Sequence, residues 1–203
     1  MTPNTPPDKT SPVPASPPSR TAQPITAQPT AAQPTVILIA GVSGSGKTTI
    51  GTLLAERLGW EYAEADSFHS EANVAKMRAG HPLTDEDRLP WLRAIAAWIA
   101  DRLDTGRPGV VTCSALKRSY RDMLLDGHAG VRLVLLDGDR NTIAARMRSR
   151  KGHYFKVEML DSQFADLEPP APDENVVTAP ITGTPEETVT HILKALDLAP
   201  TAS

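Results

Sequence analysis

The sequence has one cysteine in 203 residues, Cys113, so it can form no internal disulfide and no cysteine-based metal cage. A reducing, cytoplasmic setting is the expectation. Aromatic residues are scarce, at 4%, and acids outnumber bases by 24 to 21, leaving a formal charge of −3. With no basic excess there is no electrostatic footprint for a general nucleic-acid binder. Long apolar runs are missing as well. Stretches such as Val36 to Ala40 are far below the ~18 residues of a membrane-spanning helix, and the N-terminal stretch has no apolar signal-peptide core. We therefore expect neither membrane nor nucleic acid among the partners.

Proline, by contrast, is plentiful and unevenly placed. Ten of the nineteen prolines fall in the first 34 residues, among Thr, Ser, Ala and Gln, and Ala-Gln-Pro recurs at 22–24, 27–29 and 32–34. Such a segment has too few large apolar side chains to offset the entropy of ordering itself. We expect residues 1–35 to be a disordered tail and residues 36–198 to form one domain. A targeting role for the tail finds little support, since Lys9 and Arg20 are its cations and it has no amphipathic period.

From Val36 onward, short apolar runs alternate with segments of helical period, which is the α/β signature. Val36-Ile37-Leu38-Ile39 suits a strand covered on both faces, and Ile50, Leu53, Leu54 and Leu58 then repeat at helical spacing up to Gly59. Further strands are expected at 61–65, 109–113, 131–136 and 175–178, giving five parallel strands with flanking helices. Trp91, Leu92, Ile95, Trp98, Ile99 and Leu103 make an apolar stripe, with Pro90 expected at the first position of that helix.

Between the first strand and its helix, Gly41-Val42-Ser43-Gly44-Ser45-Gly46-Lys47-Thr48 matches G-x-x-x-x-G-K-[ST], the phosphate-binding loop. Its spacing has a chemical reason. Glycines remove Cβ atoms so that backbone N–H groups can converge on phosphate oxygens, and the helix N-terminus adds partial positive charge. Lys47 is expected on the β- and γ-phosphates and the Thr48 hydroxyl on Mg²⁺. The loop alone does not separate kinases from GTPases, motors or nucleotide sensors. The absence of an Asn-Lys-x-Asp element and of a Leu-Ser-Gly-Gly-Gln signature leaves a small phosphotransferase as the leading reading.

In an open parallel sheet the ligand lies beyond the carboxyl ends of the strands, and three polar clusters fall there. In Glu64-Ala65-Asp66, alternate residues of an extended chain place two carboxylates on one side, one to reach Mg²⁺ through water and one to accept a substrate proton. Asp66 as a helix cap is the plainer alternative. After the run ending at Cys113, Lys117 and Arg121 stand four apart, on one helix face, and suit an anionic ligand group; two solvated cations are the alternative. Cys113 itself reads as a small buried residue. The third cluster holds Arg146, Arg148, Arg150, Lys151, His153 and Lys156. Arg146 and Arg150 share a helix face, suited to neutralising a triphosphate and excluding water from a mobile segment. His153 reads equally as a ligand contact or as an ordinary packing residue. Asp139 is expected to cap the helix before this cluster, and the backbone of Thr178-Ala179-Pro180 to line an adenine pocket.

Taken together, these motifs resemble the thermoresistant gluconokinases, the small P-loop gluconate kinases. The resemblance runs from about Val36 to Leu198 and rests on the phosphate loop, on Glu64 and Asp66 followed by Phe68-His69, and on Asn73 with Lys76-Met77. It continues through Pro82-Leu83-Thr84-Asp85-Glu86-Asp87-Arg88 to Trp91-Leu92, through the ten residues Cys113 to Asp122, and through Arg146 and His153 to Ser162-Gln163-Phe164. It implies a three-layer P-loop NTPase fold of the nucleoside-monophosphate-kinase and shikimate-kinase type with a mobile lid. It also implies ATP and Mg²⁺ as cofactors, transfer of phosphate to the 6-hydroxyl of D-gluconate, and a homodimer.

The residue roles implied by the resemblance follow the motifs. Gly41, Val42, Ser43, Gly44, Ser45, Gly46, Lys47, Thr48 and Thr49, with Arg146 and Arg150, hold the nucleotide, and Thr48 and Glu64 hold the metal. Lys47, Asp66 and Arg150 are catalytic. Asp66, His69, Arg88, Lys117, Arg121 and His153 meet the acceptor. The chain departs from the family in Glu64, where Asp is usual, and in Ser70, where Pro is common. Shikimate-type and adenylylsulfate-type kinases are the nearest alternatives, followed by a nucleotide-responsive regulator without turnover.

Overall fold

Five strands assemble into one parallel sheet because the helices between them return the chain to the same end of the sheet. The computed structural model describes residues 36–149 and 158–201. The 1–35 tail, Arg150, Lys151, His153 and Lys156 lie outside the described residues. In chain order the elements are β1 (Val36–Ala40), α1 (Lys47–Leu58), β2 (Glu61–Glu64), α2 (Glu71–Arg78), α3 (Asp85–Thr105) and β3 (Gly109–Thr112). They continue with α4 (Arg118–Leu125), β4 (Val131–Asp137), α5 (Arg140–Ser149), α6 (Glu158–Asp166), β5 (Val177–Pro180) and α7 (Pro185–Ala195). The spatial order is β2-β3-β1-β4-β5, all pairs parallel, with the most apolar strand, β1, at the centre. This is the three-layer P-loop NTPase arrangement.

Both faces of β1 are buried, as its continuous apolar sequence predicts. Ile37 and Ile39 join Ile50, Leu54, Ile143, Val189 and Ile192 on one side of the sheet. Val36, Leu38 and Ala40 join Trp91, Leu92, Ile95, Ile99 and Leu124 on the other. Gly51 lets α1 lie close over β2 and β3: a Cβ there would come within 2.7 Å of both Thr112 and the Tyr62 ring.

Two elements differ from the sequence reading by more than one residue. The helix expected to open at Pro90 begins at Asp85, because Thr84 and Asp87 form a reciprocal capping box that satisfies the first free amides five residues earlier. Pro90 is thus inside α3. Its missing N–H leaves the Glu86 carbonyl without the usual partner, at an exposed stretch where water can serve instead. The last strand begins at Val177 rather than Asn175, since Asn175 has φ of 50° at the end of a short 3₁₀ turn, Pro172–Glu174, and cannot be extended there. Pro180 closes that strand at the sheet edge, where a missing donor costs least.

Smaller signals hold. Asp139 caps α5, accepting from the Thr142 amide at 2.9 Å and from its hydroxyl at 2.6 Å. Ser70, the departure from the family pattern, has a local reason: its hydroxyl accepts from the Asn73 amide at 3.2 Å and caps α2.

Candidate active site

The phosphate loop folds as its glycines require. Gly44 and Gly46 have φ of 79° and 101°, and Gly46 is the N-cap of α1 with no side chain covering the first helical amides. Those amides point at the mouth of the loop, a ready anion site. Thr48 and Thr49 are exposed on the first turn of α1, while Gly41, Val42 and Ser45 are buried and Ser43 and Gly44 half-buried. Lys47 folds back across the loop, its ammonium donating to the carbonyls of Gly41 and Val42 at 3.0 Å each. Burial pushes Lys47 below its ordinary value, and the nearby Cys113, Asp66 and Glu64 oppose that shift. The Ser43 amide donates to Gln163 Oε1 of α6 at 2.6 Å, so one peptide unit, Val42–Ser43, is held by Lys47 on one side and Gln163 on the other. Glycine-loop periodicity gives no hint of Gln163, which enters the sequence only as part of a motif.

A cleft of about 280 Å³ opens beside the loop, lined by Gly46, Thr49, Arg146, Ile181, Gly183 and Thr188 among others. Arg146 of α5 donates to the Ile181 carbonyl at this cleft. The expectation that Thr178-Ala179-Pro180 would line it is corrected. Those residues form β5 itself, and the lining comes from the turn beyond, where Thr184 and Glu187 make the capping box of α7. That Thr-Pro-Glu-Glu sequence was the available signal for a helix start next to the loop.

At the end of β2, Glu64 gathers three hydroxyls. Its carboxylate accepts from Thr48 at 2.8 Å, Tyr62 at 2.6 Å and Thr112 at 2.5 Å. Burial, and then the bond to Glu64, push the Tyr62 hydroxyl up to about 12, so it stays a neutral donor. Thr48 and Glu64 thus present two hard oxygens side by side, which fits Mg²⁺ held by one or two protein oxygens with phosphates and water supplying the rest. Among the described residues no three His, Cys, Asp or Glu side chains form a cage, and Mg²⁺ bound in this way needs none. Asp66 follows, exposed, in a 3₁₀ turn (Ala65–Phe68) and close enough to influence both Lys47 and His69.

His69 stacks on Trp91, with ring centroids 4.4 Å apart and planes 11° apart, and Trp91 Nε1 donates to the Ala65 carbonyl at 2.7 Å. This pair ties α3 to the turn that carries Asp66. The His69 Nδ1 is buried without a partner, and burial, aided by Arg88, holds the ring below its ordinary value, with Asp66 opposing. Arg88, on α3, reaches Asp85 at 3.3 Å and the Tyr120 hydroxyl at 3.4 Å. Lys117, the N-cap residue of α4, donates to both oxygens of Asp85, at 3.1 and 2.9 Å.

Arg121 is corrected. It does not accompany Lys117 toward a ligand. Its guanidinium is 1% exposed and forks onto Glu174 at 2.5 and 2.9 Å, while Nη1 donates to the carbonyls of Leu116 and Glu168. Buried and held by Glu174 on one side and by backbone carbonyls on the other, the guanidinium is not presented to a sugar acid. The i, i+4 argument fails because Lys117 caps α4 rather than lying on it, and the residue that partners Arg121 is 53 positions away. Cys113 is buried, and burial pushes its thiol up to about 12, which keeps it an unreactive packing group.

A glycine-rich anion site at the head of α1, an acidic end of β2 hydrogen-bonded to it, and cations at the head of α3 and α4 define a P-loop phosphotransferase. A family model described as an AAA domain matches residues 36–170. The chain is 45% identical over 141 residues to a gluconokinase of Gluconobacter oxydans, covering 70% of this chain and 79% of that one. In structure it is similar to an unliganded sugar kinase from Janibacter sp. HTCC2649, with TM-score 0.76, 47% identity and coverage of 82% and 96%. It is likewise similar to a gluconokinase from Sinorhizobium meliloti, with TM-score 0.72, 40% identity and coverage of 81% and 93%. The chain belongs to the gluconokinase family.

Proposed function

We propose that this protein phosphorylates D-gluconate at the 6-hydroxyl with ATP, giving 6-phosphogluconate and ADP. The observation that carries this reading is the 2.8 Å bond from Thr48 to Glu64, which joins the nucleotide loop to the acidic strand end in a chain of this family. ATP enters along the cleft lined by Thr49, Arg146 and Ile181, with its phosphates on the amides of residues 44–48. Lys47 then exchanges the carbonyls of Gly41 and Val42 for phosphate oxygens and takes up the charge that develops on the γ-phosphoryl group. Thr48 and Glu64 hold Mg²⁺, which supplies further neutralisation of the phosphates.

Asp66 accepts the proton of the 6-hydroxyl as its oxygen bonds to the γ-phosphorus. The bond from that phosphorus to the β–γ bridging oxygen breaks, and ADP leaves with the electron pair. Arg88, Lys117 and His69 receive the sugar acid, and the roles of Arg150 and His153 over the nucleotide and acceptor are those of the family resemblance. A cytoplasmic setting suits the single buried thiol, and the homodimer implied by the resemblance is checked by sedimentation velocity.

A coupled ADP-release assay with ATP and Mg²⁺, offering D-gluconate, shikimate, adenylylsulfate or no acceptor, tests the reading. Release that depends on gluconate, with 6-phosphogluconate as product, is expected. Release with another acceptor, or ATP binding without release, overturns it.

A further inference from the structure

Asp85 has no role in the reaction described above, yet three donors converge on it. Lys117 donates to both its oxygens, Tyr120 donates at 2.5 Å and Arg88 at 3.3 Å. Tyr120 is buried, but the charged members are open to solvent: the Asp85, Lys117 and Arg88 side chains are 54%, 27% and 28% exposed. A buried ion pair would be read as scaffold, as with Arg121 and Glu174. An accessible carboxylate that fixes two cations calls for another explanation, because exposed ion pairs contribute little to stability. The cluster also sits beside the acceptor machinery. Its Asp85 and Arg88 lie on the first turn of α3, whose Trp91 bonds the turn carrying Asp66 and stacks on His69, and Arg88 acts electrostatically on that same ring.

The geometry points to Asp85 as a specificity-determining residue of the acceptor subsite: it holds Lys117, Arg88 and Tyr120 in place and accepts a hydroxyl of a polyhydroxylated monocarboxylate. Among the directly bonded groups, two cations against one carboxylate leave a single positive charge, with Asp166 also acting on Lys117, and that charge matches one carboxylate on the acceptor. A neutral polyol would leave that charge unpaired, and a dicarboxylate would bring one charge too many. The carboxylate is already in its charged form, since the Tyr120 and Lys117 bonds hold Asp85 below its ordinary value. The inference rests on the gluconate-kinase reading, which supplies the acceptor.

The test measures steady-state kinetics of the full chain and of the D85N, D85E and Y120F variants, with D-gluconate as acceptor and the six-carbon dicarboxylate D-glucarate as inhibitor. For D85N the KM for gluconate rises about tenfold, as expected for loss of a charge-assisted hydrogen bond, with the KM for ATP within twofold of wild type. The inhibition constant of glucarate relative to the gluconate KM falls about tenfold, because the subsite now carries two positive charges. D85E recovers part of the gluconate KM. Y120F, which removes one tether and leaves the charge, raises the gluconate KM about threefold without moving the dicarboxylate ratio, and it carries the test if D85N does not fold. A gluconate KM unchanged in D85N and Y120F, or a dicarboxylate ratio unmoved in D85N, overturns the inference while leaving the kinase reading intact. A wild-type chain without gluconate-dependent ADP release overturns the kinase reading itself.

Discussion

Asp66 and Glu64 are two residues apart and do different work. Glu64 is spent on three hydroxyls, including the Thr48 hydroxyl beside the phosphate loop, whereas Asp66 is exposed and available to take a proton. Two predictions follow from that division. D66N should lower kcat with gluconate by about 10²–10⁴-fold, the usual range for a lost general base, while nucleotide affinity measured by calorimetry stays within about twofold. E64Q keeps the shape of the hydroxyl cluster but removes the charge beside Thr48. The Mg²⁺ concentration giving half-maximal turnover should rise by about tenfold or more, read from a Mg²⁺ titration at saturating ATP. The alternation of an extended strand is visible in the sequence, so the pair itself was legible there. Which member faces the loop was not, because the turn at Ala65–Phe68 re-aims Asp66 after the strand ends.

Among the elements, α4 shows how a motif full of cations divides between ligand and scaffold. Arg118 forks onto Asp173 at 3.1 and 2.6 Å, and its amide donates to Glu168 at 2.5 Å, so the head of α4 is stapled to the segment entering β5. Arg121 and Glu174 complete the staple in the interior, at 1% and 2% exposure. Removing one partner strands a buried charge, and E174A should cost about 3–5 kcal/mol in urea unfolding at neutral pH. The bond from Arg121 holds the Glu174 carboxyl below its ordinary value, so the unfolded chain takes up that proton before the native one does. The stabilisation is therefore full above the unfolded carboxylate range, near pH ~4.3, and is lost as pH falls through the lower native value. Wild type should lose stability across that window more steeply than E174A, followed by thermal unfolding between pH 3 and 6.

For the whole molecule, every described core contact begins at Val36, the first residue of the central strand. Deleting residues 1–34, whose composition cannot build a core, should leave kcat and both KM values within about twofold of the full chain. A larger loss in the coupled assay would place part of the tail in the catalytic unit. Among the described residues no helix is long and apolar enough to cross a membrane, in line with the short apolar runs of the sequence.

The sequence by itself determined the parallel α/β order, the phosphate loop with Lys47 and Thr48, and the acidic end of β2. Each of these is written in neighbouring residues: apolar runs alternating with helical periods, glycines at fixed offsets, carboxylates at strand spacing. Tertiary structure alone decided the fates of Arg121, Lys117, Gln163 and the turn at Ile181–Pro185. Their partners lie tens of residues away, at Glu174, Asp85, Ser43 and Arg146. Local periodicity reports which face of an element is apolar, but a charged or amide side chain takes whatever partner folding brings within 3 Å. Only the packed sheet and its helices set which partner that is.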